Sequence, residues 1–164
     1  MKENCLTYAL KILARRECSE QMLKSKLIQK EYPTKEVEDT LSLCREKGYV
    51  DNKRFTASYI RSTLRTRHVG PFKLLQYFSS KGISQELFWK VWKELNIDEK
   101  DIAQKALEKR LKTLSYTNEY EKQMKLQKFL GSKGFRREIL KSLLYYENNR
   151  DNTFVSYDDV FSKK

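Results

Sequence analysis

Apolar residues recur along this chain at the spacing of amphipathic helices. Phe88, Val91, Trp92 and Leu95 follow the i, i+3, i+4, i+7 pattern, which puts them on one helical face. The chain has only five glycines and two prolines among 164 residues, and this composition favours helices over strands. The pattern therefore predicts an all-α fold.

The helical pattern repeats three times. The segments Leu23–Leu41, Leu74–Trp92 and Leu126–Leu144 align without gaps, at offsets of 51 and 52 residues. Each contains a helix, a turn and a helix, and a further helix precedes each one, at residues 3–16, 52–66 and 99–114. We predict nine helices in three tandem three-helix repeats that resemble helix-turn-helix units, at residues 1–50, 51–98 and 99–147.

The sequence around these helices indicates where they begin and end. Gly82 and Gly134 stand where a helix should end, a position at which glycine readily adopts a left-handed conformation. Pro71 suits the first turn of a helix. Side-chain oxygens that we expect to cap helix N-termini belong to Ser19, Thr34, Asp51, Ser84 and Asp98.

Repeats of this kind pack only on their neighbours, so we expect an elongated, curved molecule, and a monomer. Residues 148–164 lose the helical periodicity and are predicted to be a polar, mobile tail, with a short docking segment as the alternative.

The net charge of the chain indicates a polyanionic partner. There are 34 basic and 22 acidic residues, which give a net charge of +12. Nucleic acid, an acidic protein surface and anionic lipid are all partners that such a charge attracts.

The charge is unevenly distributed. Residues 52–85 and 122–137 contain no acidic residue, and both runs cover the loop and second helix of their repeats. This arrangement is typical of a surface that follows phosphates or carboxylates. The candidate contact residues for a protein or DNA partner are Arg61, Arg65, Arg67, Lys73, Lys81, Lys125, Lys128, Lys133, Arg136 and Arg137, with Arg15 and Arg16 as further candidates.

The sequence shows no arrangement of residues typical of an enzyme. The single histidine, His68, has no acidic residue near it in sequence to orient it as a general base. The cysteines Cys5, Cys18 and Cys44 are too scattered for a zinc site, and no phosphate-binding GxxxxGK[ST] loop occurs. We expect no catalysis, no cofactor, no metal and no membrane span, and a cytoplasmic location.

Several short motifs resemble the RecX family. They include Tyr8–Ser19 (YALKILARRECS), Gly48–Asp51 (GYVD) with Phe55, Tyr59 and Ile60, then Lys81-Gly82-Ile83 and Lys133-Gly134-Phe135. The resemblance spans about residues 5–147 in one order and spacing. It implies tandem three-helix repeats that bind the RecA recombinase and the RecA–single-stranded DNA filament. It also implies inhibition of RecA ATPase and strand exchange, and so regulation of recombination and DNA repair. Arg15 and Arg16 match the family pattern.

Two other functions stay open at this point. A helix-turn-helix protein that acts on DNA directly also uses three-helix units, but its recognition helix needs polar side chains that reach bases. The corresponding helices here are rich in Leu, Phe and Trp. The third possibility is an adaptor for another acidic protein.

Overall fold

The computed structural model describes residues 3–150, which form nine α-helices and no strand. The helices are α1 (Cys5–Arg15), α2 (Glu20–Gln29), α3 (Thr34–Glu46), α4 (Asn52–Thr66), α5 (Pro71–Ser79), α6 (Gln85–Glu94), α7 (Glu99–Leu111), α8 (Glu119–Ser132) and α9 (Arg137–Arg150). The prediction of an all-α fold with nine helices is confirmed for this part of the chain. The last helix reaches Arg150, three residues into the segment expected to be a tail, and residues 151–164 lie outside the described range.

Most of the helix termini are where the sequence predicts them. The side chains of Ser19, Ser84 and Asp98 accept hydrogen bonds from the amides of Met22, Leu87 and Asp101. Asp51 caps α4 by accepting from the amides of Lys53 and Arg54. Gly82 and Gly134 have φ angles of 73° and 78°, the left-handed conformation that glycine adopts without steric cost.

The predicted cap at Thr34 is wrong. Thr34 is already the first residue of α3, and Pro33 occupies the cap position without a side-chain hydrogen bond. The Pro33 carbonyl accepts the amide of Val37 at 3.0 Å, so the helix begins one residue earlier than the cap at Thr34 requires.

The described residues divide into two compact units. One contains residues 3–66 and 74–97, and the other contains residues 67–73 and 98–150. The repeat boundaries at residues 50, 98 and 147 stay a prediction, because these units group the helices differently.

The first unit has an aliphatic part and an aromatic part in its core. Leu23, Leu27, Val37 and Leu41 are buried in the cluster formed by α1, α2 and α3. Phe78 packs against Phe88 and Phe55, with ring centroids 5.6 and 6.0 Å apart. The fully buried Ser19 hydroxyl donates to the Lys81 carbonyl at 2.6 Å, and Asn52 accepts the amide of Glu20 at 2.9 Å. These bonds tie the start of α2 to residues of the second repeat.

The second unit is built around α7, α8 and α9. Ala103, Leu107, Leu126, Leu130 and Leu143 are buried in one cluster. The helical spacing of these residues explains why the three helices pack on one another, since each helix turns an apolar stripe inward.

Candidate protein and nucleic-acid interface

The segment at residues 67–73, which includes the first turn of α5, lies against the turn between α8 and α9, within the second unit. The Gly70 amide donates to the Lys133 carbonyl at 2.8 Å, and the Phe72 amide donates to the Gly134 carbonyl at 3.0 Å. A side chain at Gly70 would collide with the Gly134 backbone, and one at Gly134 would collide with the Lys73 backbone. The two glycines therefore allow a close approach that brings together the two acid-free runs of the sequence.

Exposed basic residues flank this junction along both segments of the chain. Arg67, Lys73 and Arg137 are exposed, and so is Lys128 in α8. Among residues 3–150 none of these four has an ion-pair partner. Lys133 is half-buried, with its Nζ atom 5.2 Å from the centre of the Phe129 ring. We call Arg67, Lys73, Lys128 and Arg137 the junction cations, and they are the positive charges here that remain available to a partner.

Arg136, another candidate contact residue, is held by a buried carboxylate. Its Nε atom donates to Oε2 of Glu99 at 2.6 Å, and its backbone amide donates to Oε1 at 2.7 Å. Glu99 is only 4% exposed. The pair ties the first turn of α7 to the start of α9, so the charge of Arg136 is largely neutralised by an internal partner.

Lys125 also has local partners. Its Nζ atom lies 2.6 Å from a Glu121 carboxylate oxygen and donates to the Ser115 carbonyl at 2.9 Å. The hydrogen bond from Lys125, with two more from Thr117, lowers the pKa of Glu121 to about 2. Although residues 122–137 contain no acid, carboxylates from outside this run therefore reach into it. The i, i+4 spacing of Glu121 and Lys125 is the sequence signal that indicates this pair.

In the first unit, Arg61 and Arg65 line a groove between α4 and α6. The groove has a volume of about 710 Å³ and also contains Ser58, Ser62 and Leu95. Lys53 and Arg54 at one end are paired with Glu94 and Glu17, at 2.9 and 2.8 Å. Arg61 and Arg65 are exposed and have no such partner within the described chain.

Arg15 and Arg16 line a separate cavity of about 510 Å³ in the same unit. Lys11 and Lys26 also line it, and Lys11 pairs with Glu3 at 2.5 Å. The sequence alone does not indicate Lys26 as a candidate contact, because Lys26 comes to lie beside Arg15 only when α2 packs on α1. The cavity therefore adds a second basic site to this unit.

Lys81 lies over an aromatic pair in the first unit. Its Nζ atom is 5.4 Å from the centre of the Tyr77 ring, which stacks on Tyr59 with centroids 4.3 Å apart. Burial, with a hydrogen bond between the two tyrosines, raises the pKa of Tyr77 to about 12. Lys81 is half-buried, so it offers a partner less of its charge than Arg61 or Arg65 does.

The described residues contain no cluster of His, Cys, Asp and Glu that would hold a metal ion. All three cysteines are buried, and burial raises the pKa of each thiol, so they stay protonated and unreactive at neutral pH. No helix in residues 3–150 is long and apolar enough to span a membrane.

The fold and its basic surfaces define an all-helical protein of repeated three-helix domains. The first three-helix domain of the RecX family matches residues 5–42, and the third matches residues 98–144. Regulatory protein RecX of Legionella pneumophila is 33% identical over 135 residues, which cover 82% of this chain and 89% of the relative. The protein of the same name from Pelodictyon phaeoclathratiforme is 30% identical over 139 residues, 85% of this chain and 86% of the relative.

Solved structures agree with the fold. The crystal structure of RecX from Lactobacillus salivarius superimposes with a TM-score of 0.78 at 21% identity, covering 87% of this chain and 93% of that one. A second crystal structure, of a regulatory protein RecX, gives a TM-score of 0.77 at 23% identity and covers 90% of this chain and 70% of that one. The chain belongs to the RecX family of regulatory proteins, as the sequence motifs indicated.

Proposed function

We propose that this chain binds RecA and the RecA–single-stranded DNA filament and inhibits RecA ATPase and strand exchange. It would thereby regulate recombination and DNA repair in the cytoplasm, as a monomer that acts by binding rather than by catalysis. The observation that carries the proposal is the junction between residues 67–73 and the α8–α9 turn, where two distant parts of the sequence are joined by backbone hydrogen bonds and each carries exposed cations without an ion-pair partner. Membership of a regulatory family supports it.

The electrostatics of the junction suit a filament. A surface with several unpaired cations attracts both DNA phosphates and protein carboxylates, and it raises the rate of association with a partner of opposite charge. Arg67, Lys73 and Arg137 supply this charge on loops and helix ends, where side chains extend into solvent. Contacts that bridge neighbouring filament subunits would oppose the subunit closure that ATP turnover needs.

The structure gives little support to a recognition helix that reads DNA bases. The third helix of the first repeat, α3, exposes Glu38, Asp39 and Glu46 together with Lys35 and Arg45, a surface of mixed charge that attracts phosphates only weakly. In α6 the residues Phe88, Val91 and Trp92 are buried, so they cannot reach base edges. We therefore expect the protein to act on the filament rather than by reading DNA bases.

The test is RecA ATPase on single-stranded DNA while this protein is titrated in. Binding of the protein to bare single-stranded DNA is measured in the same salt, because phosphate contacts depend strongly on ionic strength. We expect ATPase to fall at protein concentrations well below those that coat bare DNA. Unchanged ATPase together with tight binding to bare DNA would contradict the proposal and favour a DNA-binding protein.

A further inference from the structure

The groove between α4 and α6 continues into a second, more apolar depression. Arg61, Arg65 and Leu95 line both, and the second part, of about 430 Å³, is completed by Ile60, Leu64 and Ile97. We call the two parts together the α4/α6 groove. We call Ile60, Leu64, Leu95 and Ile97 its aliphatic floor. Two arginines one helical turn apart, Arg61 and Arg65, line both parts.

We infer that the α4/α6 groove binds an acidic amphipathic helix on the surface of a RecA subunit. The inference rests on the proposed function for the identity of the partner. An amphipathic helix inserts the side chains of one face into a groove of this kind, and the volume is enough for several such side chains but not for a whole helix.

The charges of the groove indicate why the segment should be acidic. Three carboxylates lie at one end, and each already has a partner: Glu17 pairs with Arg54, Glu94 pairs with Lys53, and Asp51 caps α4. Arg61 and Arg65 form no ion pair with a carboxylate of the described chain. The uncompensated charge of the groove is therefore positive and confined to the end beside the aliphatic floor.

The spacing of the two arginines also suits a helix. Residues four apart on a helix are separated by about 6 Å along its axis. Carboxylates three or four residues apart on a partner helix have the same separation, so one partner helix can satisfy both guanidinium groups, each through paired hydrogen bonds. Leucine, isoleucine or valine side chains on the same face would then contact Leu64 and Ile97.

A nucleic acid fits the groove less well than a peptide. Single-stranded DNA binds where cations alternate with aromatic rings on which bases stack. None of the described residues that line the groove is aromatic, so the groove offers no ring on which a base could stack. An aliphatic floor is, however, what an apolar helix face requires.

The experiment places a photo-crosslinking amino acid, p-benzoylphenylalanine, at Ser62, an exposed residue inside the groove. The full-length protein is irradiated with RecA filaments on single-stranded DNA, and crosslinked RecA peptides are identified by mass spectrometry. Gln76, exposed on α5 and outside the groove, is the control position. We expect Ser62 to crosslink to a RecA helix that carries two carboxylates within one turn beside apolar residues, and Gln76 not to crosslink to that helix.

Charge reversal gives the second arm of the experiment. The Arg61→Glu, Arg65→Glu variant should lower the Ser62 crosslink yield about tenfold, because two charge-assisted contacts are lost. Lys90→Glu, Lys93→Glu is the matched control: both lysines are exposed on α6 and lie outside the groove, and the yield should stay near that of the parent protein.

Crosslinks from Ser62 to DNA, or to a RecA segment without acidic residues, would overturn the inference. So would an unchanged yield in the Arg61, Arg65 variant. If ATPase is inhibited but no Ser62 crosslink to RecA forms, the groove assignment fails while the proposed function stands. If the protein neither binds nor inhibits RecA, the proposed function fails and the assignment fails with it.

Discussion

Arg136 reaches the buried Glu99 carboxylate with both its guanidinium group and its backbone amide, at 2.6 and 2.7 Å. The sequence places Arg136 in an acid-free run, beside the exposed Arg137. The two neighbours therefore have different roles: Arg136 holds the second unit together, and Arg137 is available to a partner.

Replacing Arg136 with alanine should destabilise the second unit. The change removes a charge-assisted hydrogen bond from a carboxylate that is 4% exposed, but the arginine side chain is 48% exposed and partly screened by water. We expect the free energy of unfolding to fall by about 1–2 kcal/mol, as measured by urea denaturation. Arg137→Ala is the control and should leave stability unchanged. Loss of filament binding by Arg136→Ala without loss of stability would contradict this assignment.

Two glycines near the end of α8 should respond oppositely to alanine. Gly134 has a φ angle of 78° and no room for a side chain beside the Lys73 backbone. Gly134→Ala should therefore lower the free energy of unfolding by about 2–4 kcal/mol. Gly131 lies inside α8 with open space around it. Gly131→Ala should raise the free energy of unfolding by about 0.5–1 kcal/mol. Thermal or urea unfolding of both variants checks this pair, and equal effects would refute the close approach of residues 67–73.

Ser19 and Ser84 form a similar pair of helix caps in the first unit. Each hydroxyl accepts an amide hydrogen bond at 3.2 Å, but only Ser19 is fully buried and also donates to the Lys81 carbonyl. Ser84→Ala should cost about 1 kcal/mol of stability. Ser19→Ala should cost about 2–3 kcal/mol, because it also leaves a carbonyl without its partner. Equal losses in chemical denaturation would argue against the Ser19–Lys81 bond.

The Glu121 carboxyl should titrate far below its ordinary pKa of 4.5. Its pKa is about 2 in the folded protein, because Lys125 and Thr117 donate hydrogen bonds to the ionised form. The stabilisation from these bonds is present above pH 4.5 and is lost as the pH falls from 4.5 through 2. Carboxyl NMR titration should give the low midpoint directly.

Variants of two lysines in α8 test the cause of this shift. In Lys125→Met the Glu121 midpoint should rise towards 4.5, while the two hydrogen bonds from Thr117 keep it below that value. Lys128→Met, in the same helix, should leave the midpoint near 2. A midpoint near 4.5 in the parent protein would show that Lys125 is not held by Glu121 and is available for contacts.

Much of the fold follows from local sequence patterns. The spacing of Phe88, Val91 and Trp92 identifies a helix and its buried face, and Ser19, Asp98 and Gly134 mark helix ends through chemistry within a few residues. Thr34 shows the limit of this method, since Pro33 precedes it and takes the cap position. Whether the helix is capped at Pro33 or at Thr34 depends on which carbonyl accepts the first helical hydrogen bond, and the side-chain types alone do not decide this.

The candidate site is less predictable, because charge along the sequence does not reveal which charges are already paired. Glu99 is 37 residues from Arg136 and becomes its partner only when α7 packs beside the α8–α9 turn. The aliphatic floor of the α4/α6 groove likewise combines Leu64 with Ile97. Which of the basic residues bind a partner stays a prediction, and the structure favours those without an internal carboxylate.

Charge reversal at the junction tests the central claim most directly. Two triple variants are compared with the parent protein in the RecA ATPase assay. Each variant replaces three exposed cations of the second unit with glutamate, so the change in net charge is the same. The first changes three of the four junction cations, Arg67, Lys73 and Arg137, and the control changes Lys109, Lys112 and Lys141.

We expect the junction variant to need a concentration at least about tenfold higher for half-maximal inhibition, because close charged contacts are replaced by repulsion. The control should inhibit nearly as well as the parent protein, and both variants should keep their helical circular dichroism spectra. Equal loss of inhibition in the two variants, or full inhibition by the junction variant, would contradict the claim that this surface binds the filament.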